Sequence, residues 1–232
     1  MTLEHIIHSG ITPSQQMDFV WDEWSCKNYY MFPPELPAPG LTAISQLASL
    51  GLTIASGEWI IARFRNLVPD RLPKDVVDAA WASMFNREFS EYTQTSDDLW
   101  RGPARSAVAI AISIINDAIY CLDMDPDISV RAGWMYNLAV HVIPEPDHFK
   151  IWYLGCIDRL SHAHPASETP VFDGFGFPDL GLSVAREAFD LQYDYSPDQA
   201  NSLLRAHILR MDRSNPLLQV PAVLQIDRIG LN

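Results

Sequence analysis

Prolines divide this chain into segments whose lengths suit helices. Proline lacks a backbone donor and fixes φ, so it is tolerated in the first turn of a helix and ends a helix elsewhere. Pro69 and Pro73 end one apolar segment, Pro103 opens another, and Pro144 ends a third. Asn-Gly or Asp-Gly turns between alternating apolar runs, which mark hairpins, are missing from the sequence. We therefore predict an all-α fold, a single domain of about seven helices.

The predicted helices follow from apolar spacings of three and four residues and from start signals. The segment 42–66 has one apolar face, and its glycines, Gly51 and Gly57, predict either a break or a close helix crossing. The remaining helices are predicted over 12–24, 74–89, 103–121, 127–143, 147–160, 181–194 and 197–212.

The chain divides into three predicted parts. Residues 1–41 form a short helix and an extended proline-rich strap, 42–212 form the helical body, and 213–232 form a packed tail or one short strand. Aromatic side chains of the strap (Tyr29, Tyr30 and Phe32) could anchor a partner. We expect them instead to pack on the helical body, which is the more common role of such side chains.

Matching tryptophan–proline spacings suggest an internal repeat. Trp59 precedes Pro69 by the same interval that separates Trp134 from Pro144. A repeat would make the body two stacked three-helix units, each covering an apolar face of the other. Chance is the alternative, because the alignment of the two halves requires gaps.

Net charge restricts the kinds of partner. The chain has 29 acidic and 16 basic residues, which give a formal charge of −13. Scattered bases cannot neutralise a phosphate backbone or an anionic membrane surface, so we expect direct binding to neither. Such a charge favours fast association with a basic protein, and solubility alone is the plainer explanation.

Cysteine usage and the N-terminal residues predict a cytoplasmic protein. Cys26, Cys121 and Cys156 have the spacing of neither a disulfide framework nor a zinc site. The first residues lack the basic and apolar regions of a signal peptide. The most apolar stretch, 107–122, is shorter than the roughly 20 residues of a membrane-spanning helix.

One group of residues could support metal or acid–base chemistry. Zinc hydrolysis needs three protein ligands and an open position for water. His162 lies four residues after Asp158, on the same face of a helix, and His164 follows just before a proline. Histidines near a helix C-terminus are more simply explained by the helix dipole. A hydrolase using these three residues, with Asp173 as a possible addition, is the alternative function.

A short run of aspartates resembles the start of a calcium-binding loop. Asp123, Asp125 and Asp127 have the right spacing, but that loop requires glycine at position six and glutamate at position twelve. Ile128 and Trp134 occupy those positions here. We therefore predict no metal site, and we interpret Asp127 as the N-cap of the next helix.

The acidic residues are interpreted as part of a docking rim. Loops at the ends of helices can share one rim of a bundle, where carboxylates steer a basic partner and aromatic side chains anchor it. The predicted partner-binding residues are Asp97, Asp98, Trp100, Asp123, Asp125, Asp173, Phe175 and Asp179.

The favoured function is a non-enzymatic binding or inhibitory protein whose acidic surface docks a basic protein. The sequence has no nucleophile elbow, phosphate loop or dinucleotide fingerprint, so no catalytic residue and no cofactor are predicted. Small acidic cytosolic proteins without motifs include bacterial immunity proteins, and by that analogy the expected partner is a toxin. A pocket for an apolar ligand, with loop 171–178 as its lid, is a third hypothesis.

Overall fold

A computed structural model describes residues 17–32, 40–96, 98–122, 128–167 and 179–221. These ranges contain seven α-helices, joined by loops and short 3-10 turns, and no strand beyond two isolated β-bridges. The all-α prediction is confirmed. The helices are α1 (Lys27–Tyr30), α2 (Gln46–Phe64), α3 (Leu72–Ser83), α4 (Pro103–Tyr120), α5 (Ser129–Val142), α6 (Asp147–Ala163) and α7 (Ala200–Arg210).

Helix α2 forms the centre of the fold. All its residues from Ala48 to Ile60 are buried, since α3, α4 and α5 pack around it. Such a helix is buried on all sides and not amphipathic. Ser45 is its N-cap and accepts the backbone N–H of Ala48 at 3.3 Å. None of the helices in the described ranges is long and apolar enough to cross a membrane.

The glycines of α2 allow close packing without breaking the helix. A Cβ on Gly51 would lie 2.8 Å from Cζ of Phe189, and one on Gly57 would lie 2.8 Å from Cδ1 of Ile115. The helix continues through both positions. Of the two outcomes that these glycines predicted, close approach of neighbouring elements is therefore the one observed.

Helices α2 and α4 run in opposite directions, which defines the two ends of the bundle. Arg105, in the first turn of α4, pairs at 2.9 Å with Asp70, which lies just beyond α2. At the other end, the backbone N–H of Ile128 donates to Oε1 of Gln46 at 2.8 Å. One end therefore contains the end of α2 and the start of α4, and the other contains the starts of α2 and α5.

The predicted helix over 12–24 is wrong for its described part. Residues 17–26 form bends and turns, and only the single turn α1 follows them. Asp22 accepts the backbone N–H of Trp24 at 3.0 Å and the hydroxyl of Ser25 at 2.7 Å. Such local bonds compete with helical hydrogen bonding. In addition, Phe19 packs on Phe64 of α2, which holds the segment against the body.

The predicted helix over 181–194 is also wrong, because this segment contains a single 3-10 turn at Arg186–Phe189. Side chains of α6 bind the carbonyl groups that a helix would use internally. Nε1 of Trp152 donates to the carbonyl of Phe189 at 2.9 Å, and Nη1 of Arg159 donates to that of Asp190 at 2.7 Å. The segment is therefore held in an irregular path beside α6.

The lack of a helix over 181–194 argues against the suggested internal repeat. Helices α2, α3 and α4 form a three-helix unit, whereas α5 and α6 are followed by the irregular segment 181–194 instead of a third helix. Gly102 and Gly181 share a positive φ, of 85° and 82°, but only Gly102 precedes a helix. The described residues thus contain one three-helix unit and not two.

The strap packs on the body where it is described. The ring of Tyr29 stacks on His141 of α5 with centroids 4.2 Å apart, and the carbonyl of Tyr30 accepts a bond from Asn137 at 3.0 Å. Phe32 is exposed. The prolines at 33–39 lie outside the described residues, so the extended path predicted for them is not described.

The tail pairs with the loop after α3. The backbone N–H of Glu91 donates to the carbonyl of Leu217 at 2.8 Å, and that of Gln219 donates to Phe89 at 2.9 Å. These two bonds flank a single antiparallel β-bridge between Ser90 and Leu218. The described part of the tail is therefore a packed segment with one point of strand-like pairing. Residues after 221 lie outside the described ranges.

Candidate functional site

The described acids of the predicted rim lie at opposite ends of the bundle. Asp98 precedes α4 and pairs with Arg101 at 3.0 Å. Asp179 lies near the start of α2, since the carbonyl of the adjacent Leu180 accepts the backbone N–H of Leu47 at 3.0 Å. The length of α2, about 28 Å at 1.5 Å per residue, separates these ends. The two carboxylates therefore do not share one rim.

Trp100 is not available as an anchor for a partner. Only 8% of it is exposed, and the guanidinium of Arg105 lies over its ring, 5.5 Å from the centroid. The other predicted rim residues, Asp97, Asp123, Asp125, Asp173 and Phe175, lie outside the described residues, as do Asp127 and loop 171–178.

The proposed hydrolase residues point to separate partners. Nδ1 of His162 bonds the backbone carbonyl of Asp158 at 2.7 Å, whereas Nε2 of His164 bonds the hydroxyl of Tyr195 at 2.9 Å. Burial lowers the pKa of His164, so its imidazole is neutral at pH 7. Within the described ranges, no group of three or more His, Cys, Asp or Glu side chains is placed to hold a metal ion.

A different surface combines exposed apolar side chains with carboxylates. Ile151 and Leu154 project from α6 with exposed fractions of 68% and 46%, and Leu191 and Tyr193 of the neighbouring segment are each 38% exposed. Two exposed acids accompany them. We call this surface the α6 face, and it comprises Ile151, Leu154, Asp158, Leu191, Tyr193 and Asp194.

Contacts along α6 hold the two halves of this face together. Nη2 of Arg159 donates to the carbonyl of Leu191 at 3.0 Å. A Cβ on Gly155 would lie 2.7 Å from Cδ1 of Leu191, so the absence of a side chain there lets the segment approach the helix. Leu191 therefore lies against α6 at Gly155, the residue that follows Leu154. Farther along, the bond from Tyr195 to His164 fixes the end of the segment.

Acidic residues outnumber basic ones in the segment beside α6, and the nearby arginines bind other groups. Residues 179–199 contain five acidic residues and one basic residue, Arg186. Arg186 is buried and pairs with Glu58 at 2.7 Å. Arg159 donates to three backbone carbonyls, those of residues 188, 190 and 191. Neither guanidinium is directed at the exposed carboxylates of Asp158 and Asp194.

The apolar part of this face was missed in the sequence, although α6 contains a signal for it. Phe149, Trp152 and Cys156 form the buried stripe of α6, and Ile151 and Leu154 lie outside that stripe. A surface helix with apolar residues beyond its core-facing stripe is either covered by another element or available to a partner. Leu191 and Tyr193 have no comparable signal, since their position depends on tertiary contacts.

The α6 face thus has the composition of a protein-docking surface, an apolar centre with a polar and acidic margin. Comparison of this chain with protein-family models, with curated proteins and with solved structures finds no match.

Proposed function

We propose that this chain is a non-enzymatic binding protein whose α6 face docks a basic protein. The observation that carries the proposal is that α6 and the segment bound to it expose four apolar side chains and, on the same two elements, the carboxylates of Asp158 and Asp194. Single exposed apolar residues are ordinary on protein surfaces, whereas a contiguous group with a polar margin is typical of interaction sites.

The two kinds of side chain support different parts of the binding reaction. Burial of apolar surface contributes about 25 cal/mol per Å², so Ile151 and Leu154 supply affinity and slow dissociation. The carboxylates and the formal charge of −13 attract a basic partner over longer distances and speed its association. A basic partner with an apolar patch satisfies both requirements.

An inhibitory role follows when docking covers the working surface of the partner. Enzymes that act on nucleic acids have basic substrate sites, and a carboxylate-rich surface fits such a site in place of phosphates. The proposed partner is therefore a basic toxin of this kind, and the chain would act as its immunity protein in the cytoplasm. The three cysteines, all unpaired thiols, are compatible with that reducing compartment.

The test compares variants of the α6 face with a matched control. Wild-type protein, Leu154→Arg and Val130→Arg serve as baits in a lysate of the source organism, because Val130 is an exposed apolar residue of α5. The partner is identified by mass spectrometry and purified. We expect Leu154→Arg to lose it and Val130→Arg to retain it.

Kinetics with the purified partner test the two roles separately. We expect Asp158→Lys with Asp194→Lys to slow association about tenfold at low salt and to flatten its salt dependence. Leu154→Ala is expected to speed dissociation about fivefold. Equal binding of the partner to all these variants and to Val130→Arg would remove the α6 face as the docking site.

A further inference from the structure

Trp24 is held in solvent at one end of the bundle. Its exposed fraction is 99%, whereas the other six tryptophans are buried or half-buried. Tryptophan is enriched at the centres of protein interfaces, where its large rigid ring is covered by a partner. Trp24 is not among the residues that define the α6 face, so its exposed ring requires its own explanation.

The backbone around Trp24 is fixed on both sides. Oε1 of Glu23 accepts the backbone N–H of Gly102 at 2.5 Å, which ties the segment to the start of α4. Nε2 of His141 donates to the carbonyl of Val20 at 2.8 Å, which ties it to the end of α5. The indole is therefore presented from a preorganised segment, and little ordering is required when a partner binds it.

A carboxylate is bound to the backbone of Trp24 itself. Oδ1 of Asp22 accepts the backbone N–H of Trp24 at 3.0 Å, and Oδ2 accepts the hydroxyl of Ser25 at 2.7 Å. The bonds from Ser25 and Trp24 lower the pKa of Asp22, so the carboxylate is ionised at neutral pH. Residues 17–32 contain three acids, Asp18, Asp22 and Glu23, against the single base Lys27.

Two other tryptophans of this chain already have an arginine over the ring. The guanidinium of Arg105 lies 5.5 Å from the ring centroid of Trp100, and that of Arg131 lies 5.4 Å from that of Trp134. Among the described residues, no cation lies over Trp24. Its ring is thus open to a cation from outside the chain, and the carboxylate of Asp22 is bound to the backbone of the same residue.

We infer that Trp24 receives an arginine side chain of the basic partner, with the guanidinium over the indole and a charged hydrogen bond to Asp22. This inference rests on the proposed function, since it assumes a basic protein partner. Tryptophan is the best aromatic acceptor of a cation–π contact. Arginine suits the site better than lysine, because a planar guanidinium stacks on the ring while donating to a carboxylate.

The direct test uses short peptides with the full chain. Tetra-arginine, tetra-lysine and uncharged tetra-citrulline, all with blocked ends, are titrated into isotope-labelled protein, and the indole N–H resonance of Trp24 is followed by NMR. Trp24→Phe identifies that resonance. We expect tetra-arginine to shift it saturably, tetra-lysine to bind at least about threefold more weakly, and tetra-citrulline to leave it unchanged.

Variants assign the contacts and test alternatives. Asp22→Asn keeps an acceptor for the backbone N–H of Trp24 but removes the charge, and we expect it to weaken tetra-arginine binding about fivefold. Equal affinities for tetra-arginine and tetra-lysine would reduce the site to general charge attraction and overturn the inference. Absence of any saturable shift would overturn it as well.

The partner complex separates this inference from the proposed function. We expect Trp24→Leu, which keeps an apolar side chain, to weaken binding of the purified partner about fivefold. When Leu154→Arg abolishes partner binding and Trp24→Leu leaves it unchanged, the arginine site is refuted and the proposed function stands. When tetra-arginine binds at Trp24 but the α6-face variants bind the partner normally, the proposed docking face is refuted and the arginine site stands.

Discussion

Glu58 and Arg186 form an ion pair of 2.7 Å in the interior of the protein, where each side chain is 7% exposed. The second carboxylate oxygen, Oε1, accepts a bond from Nε1 of Trp81 at 2.6 Å. Glu58, Trp81 and Arg186 thus connect α2 and α3 to the 3-10 turn at Arg186–Phe189, just before Leu191. The position of Leu191 on the α6 face therefore depends on a buried charge pair that ties the preceding turn to α2.

Glu58→Gln is expected to lower the free energy of unfolding by about 3–5 kcal/mol, because it removes the negative charge that compensates a buried guanidinium. Urea denaturation measures this change. Asp98→Asn is the control, since it weakens an exposed pair with Arg101, and such pairs contribute about 1 kcal/mol or less. Equal effects of the two substitutions would contradict the role assigned to the buried pair.

His207 is expected to make the protein less stable in acid. Burial, and then the positive charge of Arg186, lower its pKa from 6.5 to about 4. Below about pH 6.5 the unfolded chain takes up a proton that the folded protein does not bind until about pH 4. The free energy of unfolding therefore falls as the pH falls through this window, by about 3 kcal/mol in total.

Urea denaturation at several pH values between about 7 and 4.5 checks this prediction. Other groups titrate in the same range, so His207→Gln is compared with wild type at each pH. We expect the free energy of unfolding of wild type to fall relative to that of His207→Gln as the pH falls. A constant difference would show that His207 has no part in the acid sensitivity.

Helix boundaries could be predicted where the signals for them are local. Pro103 begins α4 as expected, and the prolines after residue 143 end α5. The segment 181–194 could not be predicted in this way. Its apolar content suits a helix, but its carbonyls are bound by Trp152 and Arg159, which lie some 30 residues earlier. Tertiary contacts override local propensity there.

The residues of the α6 face were not predicted from the sequence. The acidic composition indicated a docking surface for a basic partner, but the sequence did not show which carboxylates share a face. Asp98 and Asp179 are separated by the length of α2, whereas Asp158 lies on α6 and Asp194 lies on the segment that Arg159 of α6 binds. Likewise, Trp100 is buried and Trp24 is exposed, although both tryptophans follow acidic residues.

Two helix glycines should respond in opposite ways to alanine. Alanine favours a helix over glycine by about 1 kcal/mol. A Cβ on Gly133 meets only Cδ1 of Leu41 at 3.7 Å, so we expect Gly133→Ala to raise the free energy of unfolding by about that amount. A Cβ on Gly51 would lie 2.8 Å from the fully buried ring of Phe189, so Gly51→Ala is expected to lower it by about 1–3 kcal/mol.

Denaturation of the two variants under identical conditions checks this pair of predictions. Stabilisation by both substitutions would mean that the ring of Phe189 moves freely enough to accept the extra methyl group. That outcome would weaken the conclusion that Gly51 sets the distance between α2 and the 3-10 turn.

The hydrogen bond between buried His164 and half-buried Tyr195 is expected to hold the segment of the α6 face in place. Nε2 of His164 and the hydroxyl of Tyr195 are 2.9 Å apart, and burial raises the pKa of Tyr195 to about 12. Tyr195→Phe removes the hydroxyl from a buried imidazole. We therefore expect the free energy of unfolding to fall by about 1–3 kcal/mol.

The same pair should make the wild type sensitive to alkali. Between about pH 10 and 12 the unfolded chain loses the phenolic proton of Tyr195 while the folded protein keeps it, so stability falls as the pH rises through this window. In Tyr195→Phe this contribution to the fall of the free energy of unfolding at alkaline pH should be absent. Hydrogen exchange gives the local readout, and we expect faster exchange in residues 190–195 of the variant than of wild type. Because that segment carries Leu191 and Tyr193, unchanged exchange there would contradict the idea that this hydrogen bond supports the docking face.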